Sequence, residues 1–164
     1  MPSTHFTHLD EDRSPNMVDI GDKQSTERVA LAQTIIELPE EVAKELDIEG
    51  LQTPKGSIFA VAIIAGTQAA KKTADLIPLC HVIPLDSVKL NLSREGKNHI
   101  VVECRVKATH KTGVEMEALI GASVAALTVY DMCKALSHDI VIRETKLIEK
   151  AGGKSNFRRD ETET

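Results

Sequence analysis

The sequence TGVEMEALIGASVAALTVYDMCKAL, at residues 112–136, decides the fold of this chain. No proline interrupts residues 114–136 and five of these residues are alanine, so helix propensity is high. Glu115 and Glu117 lie in or near the first turn, where the helix dipole favours negative charge. The middle, from Gly121 to Ala126, is rich in small residues that let another backbone approach closely. We therefore expect one long, closely packed central helix.

The charged residues at the two ends of this predicted helix are too far apart to share one small ligand. At about 1.5 Å per residue, Glu117 and Lys134 lie roughly 25 Å apart. Asp131 and Lys134, three residues apart, are neighbours on the helix surface. One interpretation is an exposed ion pair at one end and acids that complement the dipole at the other. The apolar neighbours of Asp131 and Lys134 favour a functional role, and the distance then predicts sites built from two subunits.

The composition is that of one soluble domain. A chain of 164 residues, 41% hydrophobic but 2% aromatic, must build its core from small aliphatic side chains. The net charge of −5 argues against nucleic-acid binding driven by bulk electrostatics. Three cysteines without CxxC spacing favour a reducing compartment. No signal peptide and no apolar run of membrane-spanning length is visible, so we expect a cytoplasmic protein without membrane partners.

The principal elements follow the order strand, helix, strand, strand, helix, strand. We expect strands at residues 26–38, 87–92, 100–108 and 138–148, and helices at 39–46, 57–75 and 114–136. This order predicts an α+β fold of the ferredoxin-like, split βαβ type: a four-stranded antiparallel sheet with two long helices on one face. Residues 1–15 are expected to be a mobile arm, residues 16–150 a single domain, and residues 151–164 a mobile tail.

Three cationic residues lie where an anion can bind. Arg28 is near the start of the first strand and is either an anion ligand or a solvated residue. Lys55 precedes a helix that Ser57 would cap, an arrangement suited to phosphate although most such lysines are solvated. Lys154 lies in GGKS at residues 152–155, but the P-loop pattern requires glycine where Ile148 stands. We therefore reject a P-loop and interpret Lys154 as part of a mobile flap.

The segment LIPLCHVIPL, at residues 76–85, contains a histidine between two prolines. Pro78 and Pro84 fix the backbone on both sides of Cys80 and His81. This pattern predicts a rigid, buried crossing. His81 is then a hydrogen-bonded core residue or a donor to a ligand, and the residues alone favour the core interpretation.

Several motifs together resemble the molybdenum cofactor biosynthesis protein C family, whose members are cyclic pyranopterin monophosphate synthases. The longer motifs are DLIPLCH at 75–81, KTGVEMEAL at 111–119, ASVAALTVYDMCKA at 122–135 and GGKS at 152–155. Shorter ones are MVDI at 17–20, T-x-R-x-A-x-A at 26–32 and Lys55-Gly56. The resemblance spans nearly the whole chain, and several independent motifs in the same order make a chance match implausible.

The resemblance implies a lyase that needs no cofactor or metal. Its nucleotide-derived substrate, a cyclised dihydro-GTP, becomes cyclic pyranopterin monophosphate with release of pyrophosphate. It also implies a ferredoxin-like fold and a homohexamer, a trimer of dimers with active sites at the dimer interface. Position by position, the implied catalytic residues are Asp131, Lys134 and Lys55. The implied substrate-binding residues are Leu79, Cys80, His81, Glu115, Met116, Glu117 and Arg28.

The residues leave the mechanism and two rival functions open. Lys55 and Arg28 would neutralise phosphate charge, and Lys134 would act either as an acid/base or as a fixed charge held by Asp131. A metal site would draw on Cys80, His81, Cys104, Cys133, Glu115 and Glu117, but no zinc-like spacing occurs. A regulatory ligand-binding module is the other alternative, since a fold does not determine a function.

Overall fold

The computed structural model describes residues 12–48, 52–53 and 56–160 of the chain. Within them are four helices: α1 (Glu40–Ile48), α2 (Ile58–Lys71), α3 (Thr73–Leu76) and α4 (Glu115–Cys133). The strands are β1 (Thr26–Glu37), β2 (Gln52–Thr53), β3 (Gly56–Ser57), β4 (Ser87–Glu95), β5 (His99–His110), β6 (Val141–Ala151) and β7 (Phe157–Arg158). The predicted central helix is thus confirmed as α4.

The main sheet is open, antiparallel and five-stranded, in the order β4-β5-β1-β6-β7. The two long strands β4 and β5 form the predicted hairpin, and β1 lies between β5 and β6. The sheet has one strand more than predicted because the chain turns back after β6 and pairs Phe157 and Arg158 with Lys150 and Glu149. Arg159 extends this contact by donating from its backbone N–H to the Ile148 carbonyl, at 2.8 Å.

The alternation of β1 places one face of the sheet in the core. Ala30, Ala32, Thr34 and Ile36 are fully buried, whereas the residues between them are half-buried. This is the division into two faces that the strand period predicts. Small residues on the buried face let α4 lie directly across β1, β5 and β6, with α2 beside it against β4. The core therefore consists mainly of aliphatic side chains between one sheet face and these helices.

The helices α2 and α4 meet through glycine. A Cβ atom added to Gly66 would lie 2.7 Å from the Gly121 carbonyl oxygen and 3.1 Å from the Ala125 Cβ. A Cβ added to Gly121 would lie 2.6 Å from the Cys104 Sγ beneath it. The small residues in the middle of α4 thus bring a second backbone into contact, as the sequence predicts. They also fix the height of α4 above the sheet.

By length and composition, α4 is apolar enough to cross a membrane, so the prediction that no such run exists is wrong. Its mean hydropathy is 1.3 over the relevant window, and 50% of that window is buried inside the molecule. A helix that is packed against a sheet in the core of a globular protein passes the same test. The apolar character of α4 is accounted for by its packing against the sheet and α2.

Two predictions for residues 57–85 need correction. The helix predicted at 57–75 breaks at Lys72, whose φ of −110° and ψ of 15° separate α2 from α3. The predicted buried crossing at 76–85 is wrong, because its residues are half-buried or exposed and Val82 is 82% exposed. Ser57 does cap α2 as predicted: its Oγ accepts a hydrogen bond from the Ala60 N–H at 3.4 Å.

Candidate functional site

Two adjoining cavities lie at the N-terminal end of α4. The first has a volume of about 230 Å³ and the second of about 310 Å³. Both are bordered by Lys23, Thr112, Gly113 and Glu115. The connection between β5 and α4 is therefore common to the two cavities, and a ligand larger than either one can extend from the first into the second.

Basic side chains dominate the first cavity. They are Lys23, Arg28, Lys111, Lys150 and Lys154, while Glu115 is the acidic residue among those that line it. Lys150 Nζ lies 3.2 Å from Glu115 Oε1, so one cation is already paired. In a chain with a net charge of −5, this local excess of positive charge creates a site for a polyanion such as a polyphosphate.

Arg28 is held in the first cavity by backbone on two sides. Its Nε donates to the His110 carbonyl at 3.2 Å, and its Nη2 donates to the Lys111 carbonyl at 3.3 Å. The turn after β6 passes close by, because Gly152 (φ +87°) and Gly153 (φ +79°) adopt left-handed conformations. A Cβ at Gly152 would collide with the Glu27 carbonyl, and one at Gly153 with the guanidinium. These two glycines bring Lys154 to the cavity.

The second cavity combines apolar walls with a few polar groups. Leu79, Cys80, His81 and Ile83 form one side, Met116 and Glu117 of α4 form another, and Val18 and Ile20 also line it. The His81 Nε2 lies 2.8 Å from the Val18 carbonyl and donates to it. His81 is thus hydrogen-bonded and borders a cavity, but it is half-buried and not a core residue, and its role as a donor to a ligand stays a prediction. Such a cavity suits a flat heterocycle with polar edges.

Glu117 is the buried acid of the second cavity, with 4% of its surface exposed. Burial raises the pKa of its carboxyl to about 7, and the neighbouring Glu115 carboxylate adds to the rise, while a hydrogen bond from the backbone opposes it. Burial, and secondarily Glu117, also raises the pKa of the Cys80 thiol, so Cys80 is held as a neutral thiol. A carboxyl that titrates near neutral pH can give or take a proton under physiological conditions.

Asp131 and Lys134 lie at the other end of α4 and border neither cavity. Lys134 Nζ is 2.7 Å from Asp131 Oδ1, and both side chains are about half exposed, at 52% and 54%. The hydrogen bond and the charge of Asp131 raise the pKa of Lys134, so the lysine is held in its charged form. Within one chain this pair stands far from Glu117.

The described structure thus brings together seven of the ten residues predicted for the site. Arg28, Leu79, Cys80, His81, Glu115, Met116 and Glu117 line the two cavities. Asp131 and Lys134 lie apart from them, and Lys55 lies outside the described residues. Three further cationic residues that line the first cavity were not predicted: Lys23, Lys111 and Lys150. Lys111 begins a motif that was recognised, but nothing in the spacing indicates that Lys23 and Lys150 converge from different strands and loops.

The metal alternative has no geometric support in the part of the chain that the structure describes. Those residues contain no group of three or more His, Cys, Asp or Glu side chains placed to hold an ion. Cys104 is fully buried under Gly121, where burial raises the pKa of its thiol to about 12. Cys133 is buried near the far end of α4.

Comparison with known sequences gives consistent matches. A sequence model of the MoaC family matches residues 17–153. A cyclic pyranopterin monophosphate synthase of Xanthomonas campestris pv. campestris is 51% identical over 155 residues, which cover 94% of each chain. A molybdenum cofactor biosynthesis bifunctional protein of Synechocystis is 50% identical and aligns with 92% of this chain and 45% of its own length. Molybdenum cofactor biosynthesis protein 1 of Dictyostelium discoideum is 46% identical over 95% of this chain and 28% of its own.

Proposed function

The chain belongs to the MoaC family, and from this premise we propose that it catalyses the reaction of a cyclic pyranopterin monophosphate synthase. The substrate is 3′,8-cyclo-7,8-dihydroguanosine 5′-triphosphate, and the products are cyclic pyranopterin monophosphate and pyrophosphate. This is an early step of molybdenum cofactor biosynthesis. One structural observation supports the proposal independently of the family match. A cation-lined cavity adjoins a cavity with a buried carboxyl, and this pair of cavities suits a nucleotide with a triphosphate at one end.

The first cavity would hold the triphosphate. When an oxygen of the substrate attacks the α-phosphorus, the bond to the bridging oxygen breaks and negative charge accumulates on pyrophosphate. Arg28, Lys150 and Lys154 are placed to stabilise that charge. Because backbone hydrogen bonds fix Arg28 before substrate arrives, its guanidinium needs little reorganisation during the reaction.

The second cavity would hold the ring system. Leu79 and Met116 supply apolar surface, and His81 and Glu117 face the polar edge of the heterocycle. The Glu117 carboxyl, with its pKa of about 7, is the group in this cavity suited to transfer a proton near neutral pH. In this scheme Cys80 and Glu115 shape the cavity and set its electrostatics, and neither acts as a nucleophile.

Lys55 would be the third catalytic residue, and Asp131 and Lys134 would complete the site from a neighbouring subunit. Two observations support this: one α4 cannot place both of its ends, roughly 25 Å apart, on one ligand, and Lys134 is exposed and held charged. Lys134 would then stabilise developing negative charge. We propose a homohexamer, a trimer of dimers with its sites at the dimer interface.

The fold and setting of the enzyme form part of the same proposal. The order β4-β5-β1-β6 of the long strands, with α2 and α4 packed on the buried face, supports a ferredoxin-like arrangement to which β7 is added. Residues 16–150 would form the catalytic domain, with Lys154 supplied by the segment that follows. The free thiols of Cys80, Cys104 and Cys133 are consistent with a reducing cytoplasm.

Pyrophosphate release tests the proposal directly. The purified chain, incubated with the cyclised nucleotide, should release one pyrophosphate per molecule of cyclic product. GTP, which carries the same triphosphate but lacks the bond between C3′ and C8, is the matched control and should release none. A folded protein that leaves the cyclised nucleotide intact, or that hydrolyses both compounds alike, would contradict the proposed function.

A further inference from the structure

Residues 18–23 form a strap across the second cavity, and the strap belongs to no helix or strand. Val18 and Ile20 are half-buried and line the cavity, whereas Asp19 between them is exposed. Lys23, at the end of the strap, borders both cavities. The position of this lysine relative to a substrate that spans the two cavities therefore depends on what holds the strap.

Two side chains from the body of the protein hold the strap, and both donate to its backbone carbonyls. The Nε2 of His81 donates to the Val18 carbonyl at 2.8 Å. The Nζ of Lys111 donates to the Gly21 carbonyl at 2.5 Å, which is a short, charge-assisted hydrogen bond. Inside the strap, the Asp19 carboxylate accepts from the Gly21 N–H at 2.7 Å, so the carbonyl that Lys111 binds lies within a turn.

Lys111 is itself fixed by Arg28. The Lys111 carbonyl accepts from Arg28 Nη2 at 3.3 Å, and the preceding His110 carbonyl accepts from Arg28 Nε at 3.2 Å. The backbone of Lys111 is therefore anchored to β1 while its side chain reaches the strap. A lysine that served only as a phosphate ligand would point its ammonium into the cavity, but this ammonium is bound to a carbonyl.

We propose that Lys111 is a positioning residue that holds the strap of residues 18–23 closed and thereby keeps Lys23 at the junction of the two cavities. The proposal rests on the proposed function, because it assigns Lys23 to a substrate that occupies both cavities. Lys23 supplies the positive charge that contacts the substrate, and Lys111 affects substrate binding by fixing the position of Lys23. If the strap is closed for a smaller fraction of the time, the apparent affinity for substrate falls by the same factor.

Hydrogen exchange in the substrate-free full chain tests the hydrogen bond from Lys111 without any turnover. The reporters are the backbone amides of Gly21, bonded to Asp19, and Lys23, bonded to the Ile20 carbonyl at 3.2 Å. In Lys111→Met, which keeps the length but loses the donor, both amides should exchange about tenfold faster or more. Lys111→Arg, which keeps a donor, should restore protection, and Lys89→Met, an exposed lysine on β4, should leave it unchanged.

Kinetics of pyrophosphate release then separate a positioning residue from a second ligand. Lys111→Met and Lys23→Met should each raise KM by about tenfold and leave kcat within about twofold, since both act on substrate binding. The double variant should be no worse than the more impaired single variant, because one residue acts through the other. Unchanged exchange in Lys111→Met, or multiplicative losses in the double variant, would overturn the proposal. An inactive parent protein with the expected exchange would instead contradict the proposed function.

Discussion

Glu117 makes the stability of the protein depend on pH. Its carboxyl pKa rises from an ordinary value of 4.5 to about 7 on folding. Between these two pH values the folded chain keeps the proton that the unfolded chain releases. The free energy of unfolding is therefore greatest below the lower value and falls as the pH rises from there through the upper one. The total loss from this group is roughly 3 kcal/mol. Glu117→Gln removes this loss. The free energy of unfolding of the variant, relative to the parent, should rise across the interval and level off above it.

Urea denaturation at several pH values and one fixed protein concentration measures this difference. Glu41→Gln, which removes an exposed carboxyl on α1, is the control for the loss of a surface charge. If the Glu117→Gln and parent curves stay parallel across the interval, the Glu117 carboxyl does not have the raised pKa that its burial implies.

A substitution of Lys134 can distinguish a catalytic role from a structural one, because its side chain lies on the surface and can be removed without disturbing the core. Lys134→Ala should keep the unfolding midpoint and the assembly of the parent but lower the rate of pyrophosphate release by about a hundredfold or more. Lys44→Ala is a matched control, since Lys44 is also exposed and pairs with a carboxylate one turn away, at 2.6 Å from Glu40. Full activity in the Lys134 variant would remove this residue from the site.

At the scale of single residues, the motifs predicted more of the site than the residue types did. His81 and Glu117 were recognised within longer motifs, and the structure places both at one cavity. Lys23 and Lys150 were missed because their convergence depends on how a strap and a strand end meet in space. The raised pKa of Glu117 also could not be predicted from the sequence, since it depends on the burial of this carboxyl at the start of α4.

The close packing of α2 against α4 depends on the absence of a side chain at Gly66. Gly66→Ala would place a Cβ 2.5 Å from Leu90 Cδ2 and 2.7 Å from the Gly121 carbonyl oxygen, and backbone cannot easily move away. We expect a loss of about 1–3 kcal/mol in the free energy of unfolding from this overpacking. At an unobstructed helix position the same change would stabilise by up to about 1 kcal/mol, so the sign alone is informative.

Ala60→Gly is the control, because Ala60 is exposed on the same helix. It measures the difference in propensity between alanine and glycine in α2 without any steric term. A Gly66→Ala protein as stable as the parent in urea denaturation would show that the two backbones are not in the contact described.

At the scale of elements, length and period predicted the secondary structure well wherever the pattern was long. The long alanine-rich, proline-free run of α4 and the alternation of β1 appear within a few residues of the predicted bounds. The two-residue strand β7 has no period to detect, and its pairing depends on the turn at Gly152 and Gly153. Leu79, Cys80, His81 and Ile83 of the run at 76–85 border a cavity, and composition alone does not distinguish a cavity wall from a core.

Subunit mixing tests whether each active site combines the two ends of α4 from different chains. Lys134→Ala and Glu117→Gln should each be inactive alone. After unfolding and co-refolding in equal amounts, half of the dimers would contain one of each, and such a dimer has one intact site and one with both changes. The mixture should therefore regain about a quarter of the parent activity, by the symmetry of a two-fold interface. No recovery, with mixed dimers demonstrated by mass spectrometry, would place both residues in one subunit's site.

At the scale of the whole molecule, the sequence predicts that each site combines residues from two chains. The roughly 25 Å between Glu117 and Lys134 follows from helix geometry alone and already argues against one site in one subunit. The structure adds that Lys134 is about half exposed and forms an ion pair with Asp131 of the same helix. Which surfaces associate depends on shape, and neither the periodicity nor the spacing of the residues indicates it.

The glycine contact in the middle of α4 has a mechanical consequence. Gly121 meets the Gly66 backbone with no side chain between them, so this contact is the point about which α4 would tilt if its ends moved. Measured from that point, the arm to Glu117 is about 6 Å and the arm to Lys134 about 20 Å. A rocking motion started at the short arm is therefore amplified about threefold at the long one, and in the opposite direction. In the proposed dimer, occupation of one cavity would in this way be transmitted as a displacement to the site of the neighbouring protomer.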